Sequence, residues 1–436
     1  YILRDCNVRI LVTARDRADL LNPYFAECSD LHTLVLVDEA APPPNRYPVR
    51  AIGWQTLLTA SDSRQPPRVI DVDMAAILYT SGSTGKPKGV VLSHRNMLTG
   101  AQSVVEYLNN RPDDRILAVL PFSFDYGLSQ LTTAFTAGAC AVLMDYLLPR
   151  DVIATVVREN ITGLAAVPPM WVQLAQLDWP AAAVASLRYI TNSGGAMPRA
   201  TLAALRRRLP NTTPFLMYGL TEAFRSTYLP PEEIDRRPDS IGKAIPSAEI
   251  LVVREDGTPC APGEPGELVH RGSLVSQGYW NDPAKTAERF RPVPGQSPGL
   301  PLVEMAVWSG DTVRADEEGF LYFIGRKDDM IKTSGYRVSP TEIEEVLYGS
   351  GQIAEAAALG VPHPVLGQAV IAMIKPLRDD FNANELIAHC KQHLPNFMIP
   401  LQIMTRQTDL PRNANGKIDR KALSEELGHL FPESAP

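Results

Sequence analysis

The stretch from Tyr79 to Val90 contains a dense set of groups that could bind an anion. It reads Tyr-Thr-Ser-Gly-Ser-Thr-Gly-Lys-Pro-Lys-Gly-Val, and its polar and flexible residues are Thr80, Ser81, Gly82, Ser83, Thr84, Gly85, Lys86, Lys88 and Gly89. Glycines let the backbone approach a ligand closely, so that successive N–H groups can converge on an anion. Hydroxyls add donors and lysines add charge. The segment is therefore predicted to bind a polyphosphate, and a flexible surface turn is the alternative.

This predicted loop differs from the Walker A loop of many nucleotide-binding proteins. A Walker A lysine is followed by serine or threonine, whereas Pro87 follows Lys86 here. The apolar run Met74–Leu78 ahead of the loop predicts a buried strand. We therefore expect a nucleotide enzyme of another class.

A second group of polar side chains follows the predicted strand Pro214–Met217. The sequence from Tyr218 to Glu222 is Tyr-Gly-Leu-Thr-Glu. The hydroxyl of Thr221 and the carboxylate of Glu222 are hard oxygen ligands, which a phosphate-bound Mg²⁺ prefers. A Thr-Glu pair after a strand is also typical of a helix cap, so the pair alone leaves both interpretations open.

Three later segments are polar, and each also has an ordinary structural interpretation. Asp311 is either a ligand for sugar hydroxyls or a turn residue. Gly325–Arg337 is either part of a site or a linker. Leu410–Arg420 would be a mobile loop that carries Lys417. None of the three identifies a function by itself.

Composition and charge exclude several classes of protein. The chain has 436 residues, of which 45% are hydrophobic and 21% charged, as in globular proteins of about two or three domains. A net charge of −7 disfavours a nucleic-acid-binding surface. Its five cysteines form no Cys-x-x-Cys pair, which favours the reducing cytoplasm over a disulfide framework or zinc site. The longest apolar stretch, Ile153–Leu187, is broken by charges and prolines, so no transmembrane segment is predicted.

The pattern of apolar runs changes along the chain and predicts an α/β fold. From Val8 to about Glu222, short strands alternate with helices, which indicates parallel sheets covered by helices. Gly242–Ile324 has short strands and Gly/Pro turns, which indicates antiparallel structure. Residues 39–67, rich in proline, serine and arginine, are predicted to be a surface connection. A capping box in Ser339-Pro340-Thr341-Glu342 predicts the start of a late helix.

In this order and spacing, the five polar clusters resemble those of the adenylate-forming superfamily. That superfamily includes acyl-CoA synthetases, peptide-synthetase adenylation domains and beetle luciferases, and the resemblance runs from the start of the chain to about Leu423. Gly325–Arg337 and Ala358–Gln368 are most similar to bacterial AMP-forming acyl-CoA ligases. A fainter similarity is to the subgroup associated with exosortase systems.

The resemblance implies a large domain at residues 1–327, with a β-rich part at about 240–325. It also implies a small mobile α+β domain at 328–436 that swings about a hinge at Asp328. Because full-length members of the family begin well before the phosphate loop, the resemblance further implies that the chain is N-terminally incomplete.

The implied reaction joins a carboxylic acid to MgATP, releases pyrophosphate and passes the acyl group of the adenylate to a thiol such as that of coenzyme A. By resemblance, the loop Thr80–Lys88 would hold the β and γ phosphates, Thr221 the α phosphate and Glu222 the Mg²⁺. The other residues of the implied nucleotide site are Gly194, Gly195, Ala196, Tyr218 and Gly219 near the adenine, and Asp311 and Arg326 at the ribose.

The resemblance assigns the two half-reactions to different residues. Lys417 would bridge the attacking carboxylate and the α phosphate during adenylation. After the hinge motion, Lys332 would lie on the thioester-forming face, with Gly335 and Arg337 along the path of the pantetheine arm of CoA.

The implied acyl pocket is formed by Phe124, Asp125, Trp171 and Gly194. Phe-Ser-Phe-Asp ending at Asp125 is similar to amino-acid-activating domains, where the Asp binds the substrate ammonium. The alternative is that Asp125 caps the helix that follows it. Trp171 could equally be an ordinary core residue.

Three functions therefore remain as hypotheses from the sequence. The first is an AMP-forming acyl-CoA ligase. The second is an enzyme that adenylates an amino acid or another acid and loads a separate carrier protein, because no Gly-x-Asp-Ser carrier motif follows Arg420. The third, a non-catalytic nucleotide or acyl binder, is disfavoured because Lys417, Glu222 and the loop hydroxyls are all present.

Overall fold

A computed structural model of the chain describes most of its length. The described residues are 1–39, 45–60, 65, 67–80, 87–145, 148–326, 330–333, 336–364, 366–378, 380–413 and 416–431. Several residues predicted to be functional lie outside this described part, and they are Ser81, Gly82, Ser83, Thr84, Gly85, Lys86, Asp328, Gly335 and the side chain of Arg337.

The chain begins with a small parallel sheet of order β1-β2-β3. Its elements are α1 (Ile2–Asp5), β1 (Ile10–Thr13), α2 (Arg15–Leu21), a 3₁₀ helix (Asn22–Glu27), β2 (Thr33–Leu36), β3 (Arg50–Gly53) and α3 (Trp54–Thr59). The prediction that residues 39–67 are only a connection was wrong, because β3 and α3 lie within them. Strand β3 has four residues, which is too short to show an alternating apolar pattern in the sequence. Its pairing with β2 is what stabilises it as a strand.

An antiparallel hairpin follows, formed by β4 (Met74–Thr80) and β5 (Lys88–Ser93). The prediction of a buried strand at Met74–Leu78 was wrong for most of its length. Met74 is 49% exposed, and only Leu78 of this run is buried. Tyr79 pairs with Gly89 across the hairpin, and a Cβ on Gly89 would lie 3.0 Å from the tyrosine ring. The glycine therefore makes room for the ring at the base of the predicted phosphate loop.

The parallel half of the main sheet alternates strands with helices, as predicted. Strands β6 to β10 pair in parallel in the order β7-β6-β8-β9-β10. The elements are α4 (His94–Leu108), β6 (Arg115–Ala118), α5 (Asp125–Ala137), β7 (Cys140–Leu143), α6 (Pro149–Arg158), β8 (Gly163–Ala166), α7 (Pro168–Leu174), α8 (Ala181–Ser186), β9 (Tyr189–Asn192), α9 (Arg199–Arg208) and β10 (Thr213–Tyr218).

The antiparallel half continues the same sheet beyond β10, so the β-rich segment does not form a sheet of its own. The order from β10 is β11-β12-β17-β16-β14-β13, with β15 also on β16. The elements are a 3₁₀ helix (Thr221–Ala223), β11 (Thr227–Leu229), a 3₁₀ helix (Pro231–Glu233), β12 (Ser240–Ala244), β13 (Ala248–Val253), β14 (Gly266–Gly272), α10 (Pro283–Arg289), β15 (Phe290–Pro292), β16 (Met305–Ala315) and β17 (Leu321–Arg326).

The last part of the chain builds a separate sheet of order β19-β18-β21-β20, with β22 parallel to β21. Its elements are β18 (Ile331–Thr333), β19 (Tyr336–Val338), α11 (Pro340–Gly349), β20 (Ile353–His363), β21 (Gly367–Pro376), α12 (Ala383–His393), a 3₁₀ helix (Asn396–Met398), β22 (Gln402–Thr405) and α13 (Arg420–Leu427). Helix α11 starts after Ser339 as predicted, but the Ser339 side chain makes no capping hydrogen bond.

A hydrogen bond connects α11 to the first turn of α9. The backbone N–H of Arg199 donates to Glu345 Oε1 at 3.0 Å. The first N–H groups of a helix have no partner within it, so a carboxylate from another segment can satisfy one of them. Within the part of the chain that is described, no helix has the length and apolar character needed to cross a membrane.

A strained residue follows the Thr221–Ala223 helix. Phe224 has φ 58° and ψ −45°, and Arg225 N donates to Ala223 O at 2.6 Å around it. A non-glycine residue in this region is held only by its surroundings. Here the Phe224 ring is fully buried against Gly100 of α4, where a Cβ would lie 2.5 Å from the ring.

We predict that Gly100→Ala lowers the stability of the protein. Alanine in a helix interior is ordinarily more stable than glycine by roughly 0.5–1 kcal/mol. Overpacking a buried ring costs about 1–3 kcal/mol and should outweigh that gain. The measurement is the thermal unfolding midpoint, with Gly299→Ala as the control, because only Ser297 Oγ, at 3.8 Å, lies near the added atom there. A Gly100→Ala midpoint equal to or above that of the unmodified chain would contradict the packing argument.

Candidate active site

Three predicted nucleotide-site residues meet at the junction of the two halves of the main sheet. Tyr218 ends β10, while Asp311 on β16 pairs directly with Arg326 on β17. The Tyr218 hydroxyl donates to Asp311 Oδ2, and Arg326 Nε donates to Asp311 Oδ1 at 3.1 Å. Asp311 is 2% exposed. Each carboxylate oxygen can accept more than one hydrogen bond, so this carboxylate can still accept from a ligand hydroxyl.

The loop that follows β9 contains Gly194, Gly195 and Ala196. Gly194 has φ +82°, and Gly195 and Ala196 are exposed. Asn192 Nδ2 donates to Gly195 O at 3.0 Å, which anchors the loop to the strand end. A Cβ on Gly194 would lie 3.1 Å from Lys417 Cε, so the missing side chain makes room for the lysine.

Lys417 is brought to this loop from the far end of the sequence. Its Nζ lies 5.4 Å from the centroid of the Phe124 ring. Burial lowers the pKa of its ammonium group, and the negative charge of Asp125 opposes that shift. The lysine loop is itself fixed, because Lys417 N donates to Asn413 Oδ1 at 3.2 Å and Arg412 Nη1 donates to Gly416 O at 2.8 Å.

Thr221 and Glu222 form one turn of 3₁₀ helix just beyond Tyr218. Glu222 Oε1 accepts a 2.6 Å hydrogen bond from the Tyr279 hydroxyl, and Glu222 O accepts one of 2.9 Å from Ser276 N. Gly219 lets the chain turn here, since a Cβ would lie 3.2 Å from the Arg225 backbone.

The oxygen groups of this turn fit a magnesium ion that is shared with phosphate. Mg²⁺ usually takes one or two protein carboxylates and completes its shell with phosphate oxygens and waters. Glu222 supplies one carboxylate and Thr221 a hydroxyl. Among the residues that the structure describes, no group of three His, Cys, Asp or Glu side chains could hold a metal.

The described edges of the predicted phosphate loop lie in a cationic environment. Thr80 ends β4 and Lys88 begins β5, and both are half-buried. Burial lowers the pKa of the Lys88 ammonium, and the positive charges of Lys285 and Arg289 lower it further. Neighbouring cations that repel one another are stabilised by a polyanion placed between them.

Two predicted site residues do not lie at this cluster. Lys332 is exposed on β18, where its backbone N–H donates to Gln368 Oε1 at 2.7 Å. Trp171, predicted to line the acyl pocket, is fully buried, and its Nε1 donates to Ala166 O at 3.0 Å and Thr191 O at 3.1 Å. The prediction for Trp171 is corrected: with no exposed surface and its only donor satisfied, it is a core residue.

Asp125 is not the helix cap that was one of its two predicted roles. It is the first residue of α5 rather than its N-cap, which is Phe124. The carboxylate is 5% exposed and its Oδ2 lies 3.9 Å from Nη1 of Arg225. Burial raises the pKa of Asp125, while Arg225 and then Lys417 act in the opposite direction. An internal cation therefore already faces this carboxylate.

Arg225 is buried in a polar and aromatic setting. Its Nη2 donates to Ser129 Oγ at 2.6 Å, and its guanidinium carbon lies 4.6 Å from the centroid of the Tyr126 ring. Its side chain is only 3% exposed. Sequence reasoning missed both Arg225 and Tyr279. The position of Arg225 three residues after Glu222 was a signal, and so was the glycine-aromatic run Gly278-Tyr279-Trp280.

Two family models match the chain. The model described as AMP-binding enzyme matches residues 1–280, and the model described as AMP-binding enzyme C-terminal domain matches residues 342–417. The first match alone covers more than half of the chain. The chain therefore belongs to the AMP-binding enzyme family, which confirms the resemblance of its polar clusters.

Relatives in this family act on different acids. The chain is 31% identical to indoleacetate–CoA ligase of Aromatoleum aromaticum, over 96% of this chain and 78% of that protein. It is also 31% identical to L-proline–[L-prolyl-carrier protein] ligase of Pseudomonas fluorescens, over 96% of this chain and 80% of that protein. It spans only 9% of gramicidin S synthase 2 of Brevibacillus brevis, which it matches at 31% identity over 99% of its own length.

A solved structure shares the fold over nearly the whole chain. It is o-succinylbenzoate CoA synthetase from Bacillus subtilis in complex with its acyl-adenylate intermediate. The two are 28% identical with a TM-score of 0.77, and the match covers 95% of this chain and 82% of the other. The α/β fold class predicted from the sequence is thereby confirmed.

We predict that Asp125 and Arg225 stabilise the fold as a pair. Arg225→Met leaves a buried carboxylate without its cation, and Asp125→Asn leaves a buried guanidinium without its anion. Removing one partner of a buried ion pair costs about 3–5 kcal/mol. The double variant should lose less than the sum of the single losses, because neither charge is then left alone. Urea unfolding gives the four free energies of unfolding.

The exposed pair Arg206–Asp235, with Nη2–Oδ2 2.9 Å apart, is the control. Arg206→Met should change stability by about 0–1 kcal/mol. Strictly additive losses at positions 125 and 225 would contradict the pairing.

Proposed function

We propose that this chain is an AMP-forming acid–thiol ligase that activates a carboxylic acid with ATP and transfers the acyl group to coenzyme A. The observation that carries the proposal is the placement of Lys417 beside Gly194 and Phe124. The charges of Asp311, Arg326 and Glu222 are near enough to influence its pKa.

The first half-reaction forms an acyl adenylate. The carboxylate oxygen of the acid attacks the α phosphorus of ATP, and the bond from that phosphorus to the bridging oxygen of pyrophosphate breaks. Lys417 stabilises the charge that develops between the acid and the α phosphate, and a partly dry site strengthens this interaction. Asp311 and Arg326 hold the ribose, and Tyr218 lies against the adenine.

The phosphate side of the site completes the first step. Lys88 and the loop Thr80–Lys88 bind the β and γ phosphates, and Thr221 binds the α phosphate. Glu222 would hold Mg²⁺, which supplies charge neutralisation for the triphosphate when bound. The pyrophosphate that leaves carries the two terminal phosphates with it.

The second half-reaction needs a different arrangement of the small sheet. The CoA thiolate attacks the acyl carbonyl, and AMP leaves. Lys417 occupies the site in the present arrangement, and Lys332 lies exposed elsewhere. We propose that residues 328–436 swing about Asp328, which withdraws Lys417 and brings Lys332, Gly335 and Arg337 to the adenylate.

The Asp125–Arg225 pair favours an acid without an amino group as substrate. A carboxylate that already faces a buried guanidinium gains little from a substrate ammonium, and that ammonium would be repelled by Arg225. The second candidate function, loading of a separate carrier protein, is favoured by the similarity to the prolyl-carrier-protein ligase. Both functions share the first half-reaction.

We predict that Lys417→Ala slows adenylate formation by about 10²–10³-fold, because one preorganised donor to the transition state is lost. The same variant should convert a pre-made acyl adenylate and CoA to thioester at the unmodified rate. The first rate is measured by acid-dependent exchange of pyrophosphate into ATP, and the second by loss of free thiol.

Lys421→Ala is the control, because this lysine lies on the surface of α13 and its side chain is 54% exposed. Equal loss in both half-reactions would contradict the alternation of Lys417 and Lys332. A screen of fatty, aromatic and amino acids by pyrophosphate exchange, with CoA consumption in the same wells, tests the proposed function. Exchange with amino acids alone, and no CoA consumption, would favour carrier loading.

A further inference from the structure

Tyr279 lies where the hairpin with the predicted phosphate loop meets the turn that carries Glu222. Its backbone forms an antiparallel bridge with Val90 on β5. Its hydroxyl donates a 2.6 Å hydrogen bond to Glu222 Oε1. One residue thus contacts both the phosphate-loop hairpin and the carboxylate that fits a magnesium ion.

The ring of Tyr279 has little freedom to move. It is 6% exposed and packs edge-on against Phe290, with ring centroids 5.6 Å apart. Lys88 Nζ lies 5.3 Å from the centroid of the same ring. The backbone N–H of Tyr279 donates to Thr286 Oγ1 at 3.0 Å. These contacts fix the position from which the hydroxyl reaches Glu222.

The backbone around Tyr279 joins the same two parts of the site. Hydrogen bonds of 2.7–2.9 Å connect β5 to residues 277–280, and they run from Val91 N to Gly278 O, from Gln277 N to Val91 O and from Trp280 N to Gly89 O. Ser276 N donates to Glu222 O at 2.9 Å. Residues 276–280 therefore connect β5 to the Thr221–Ala223 turn at both the backbone and the side-chain level.

The hydrogen bond also determines which way the Glu222 carboxylate faces. A tyrosine hydroxyl has a single proton to donate, and here that proton goes to Oε1. With Oε1 engaged, the position of Oε2 is determined as well.

We propose that Tyr279 is a positioning residue that orients Glu222 toward the divalent cation of MgATP and holds this carboxylate at a fixed position relative to β5. The inference rests on the proposed function, in which Glu222 binds Mg²⁺. It goes beyond that function by assigning a role to a residue that the two half-reactions described above do not use. Tyr279 acts through Glu222, and its ring supports Lys88 independently of its hydroxyl.

The test separates the hydroxyl from the ring. Tyr279→Phe keeps the bridge to Val90, the packing on Phe290 and the ring beneath Lys88, and removes only the donor. Isothermal titration of the full chain measures the affinity for MgATP and, with EDTA present, for ATP without metal. Tyr279→Phe should weaken MgATP binding about tenfold, the loss expected for a hydrogen bond to a charged group, and leave metal-free ATP binding unchanged.

Two further variants make the result specific. Tyr322→Phe is the matched control, because its hydroxyl donates to another carboxylate, Asp316 Oδ2, at 3.1 Å. It should leave both affinities unchanged. Glu222→Gln should itself weaken MgATP binding, and Tyr279→Phe added to it should cause no further loss, because the tyrosine acts through this carboxylate.

The outcomes distinguish this inference from the proposed function. Metal-dependent binding by the unmodified chain, with an unchanged MgATP affinity in Tyr279→Phe, overturns the positioning role alone. An equal loss of affinity for MgATP and metal-free ATP also overturns it, since the hydroxyl would then support the fold rather than the carboxylate. An unmodified chain that binds no ATP overturns the proposed function and this inference together.

Discussion

The contact of Lys417 with the Gly194 loop is the constraint on which the site depends. The lysine comes from the small sheet and the loop from the large one, so the site exists only when the two sheets are docked. Gly194 has no side chain, which lets the lysine stem approach the loop. The bond from Arg199 N to Glu345 Oε1 attaches α11 to the helix that starts just beyond that loop. Docking therefore places a partly desolvated ammonium beside Gly194 and Phe124. In the proposed function, desolvation strengthens the attraction of this ammonium for the acid and the phosphate.

The continuity of the main sheet places the other half of the site. Parallel strands end at Tyr218, and the antiparallel strands added beyond them carry Asp311 and Arg326 to the same edge. Two segments that are distant in the sequence thereby become neighbours, and the Tyr218 hydroxyl joins them by donating a hydrogen bond to Asp311. The strained residue Phe224, buried against Gly100, separates Glu222 from Arg225, and the two side chains contact different partners. The Glu222 carboxylate contacts Tyr279, whereas Arg225 faces Asp125.

Asp125 illustrates why residue type alone leaves specificity undecided. An aspartate after Phe-Ser-Phe predicts either binding of a substrate ammonium or capping of a helix N-terminus. Both predictions assume that the carboxylate has no other partner. The partner is Arg225, which lies on another segment and is buried with it. Trp171 shows the same limit of residue type. It was predicted to line the acyl pocket, but its satisfied N–H and complete burial place it in the core. The burial expected for the strand before the phosphate loop was wrong for a related reason, since the strand pairs in a hairpin that leaves Met74 exposed.

The sequence by itself determined the class of protein and the α/β alternation, and it predicted the residues of the nucleotide site. Short motifs such as Tyr218–Glu222 carry their chemistry locally, in the order and type of their side chains. Only the tertiary structure decided which of these groups meet. The pairing of Asp125 with Arg225, the support of Glu222 by Tyr279 and the approach of Lys417 to Gly194 each join segments far apart in the chain. Such contacts depend on strand register and on packing between layers, which local patterns do not encode.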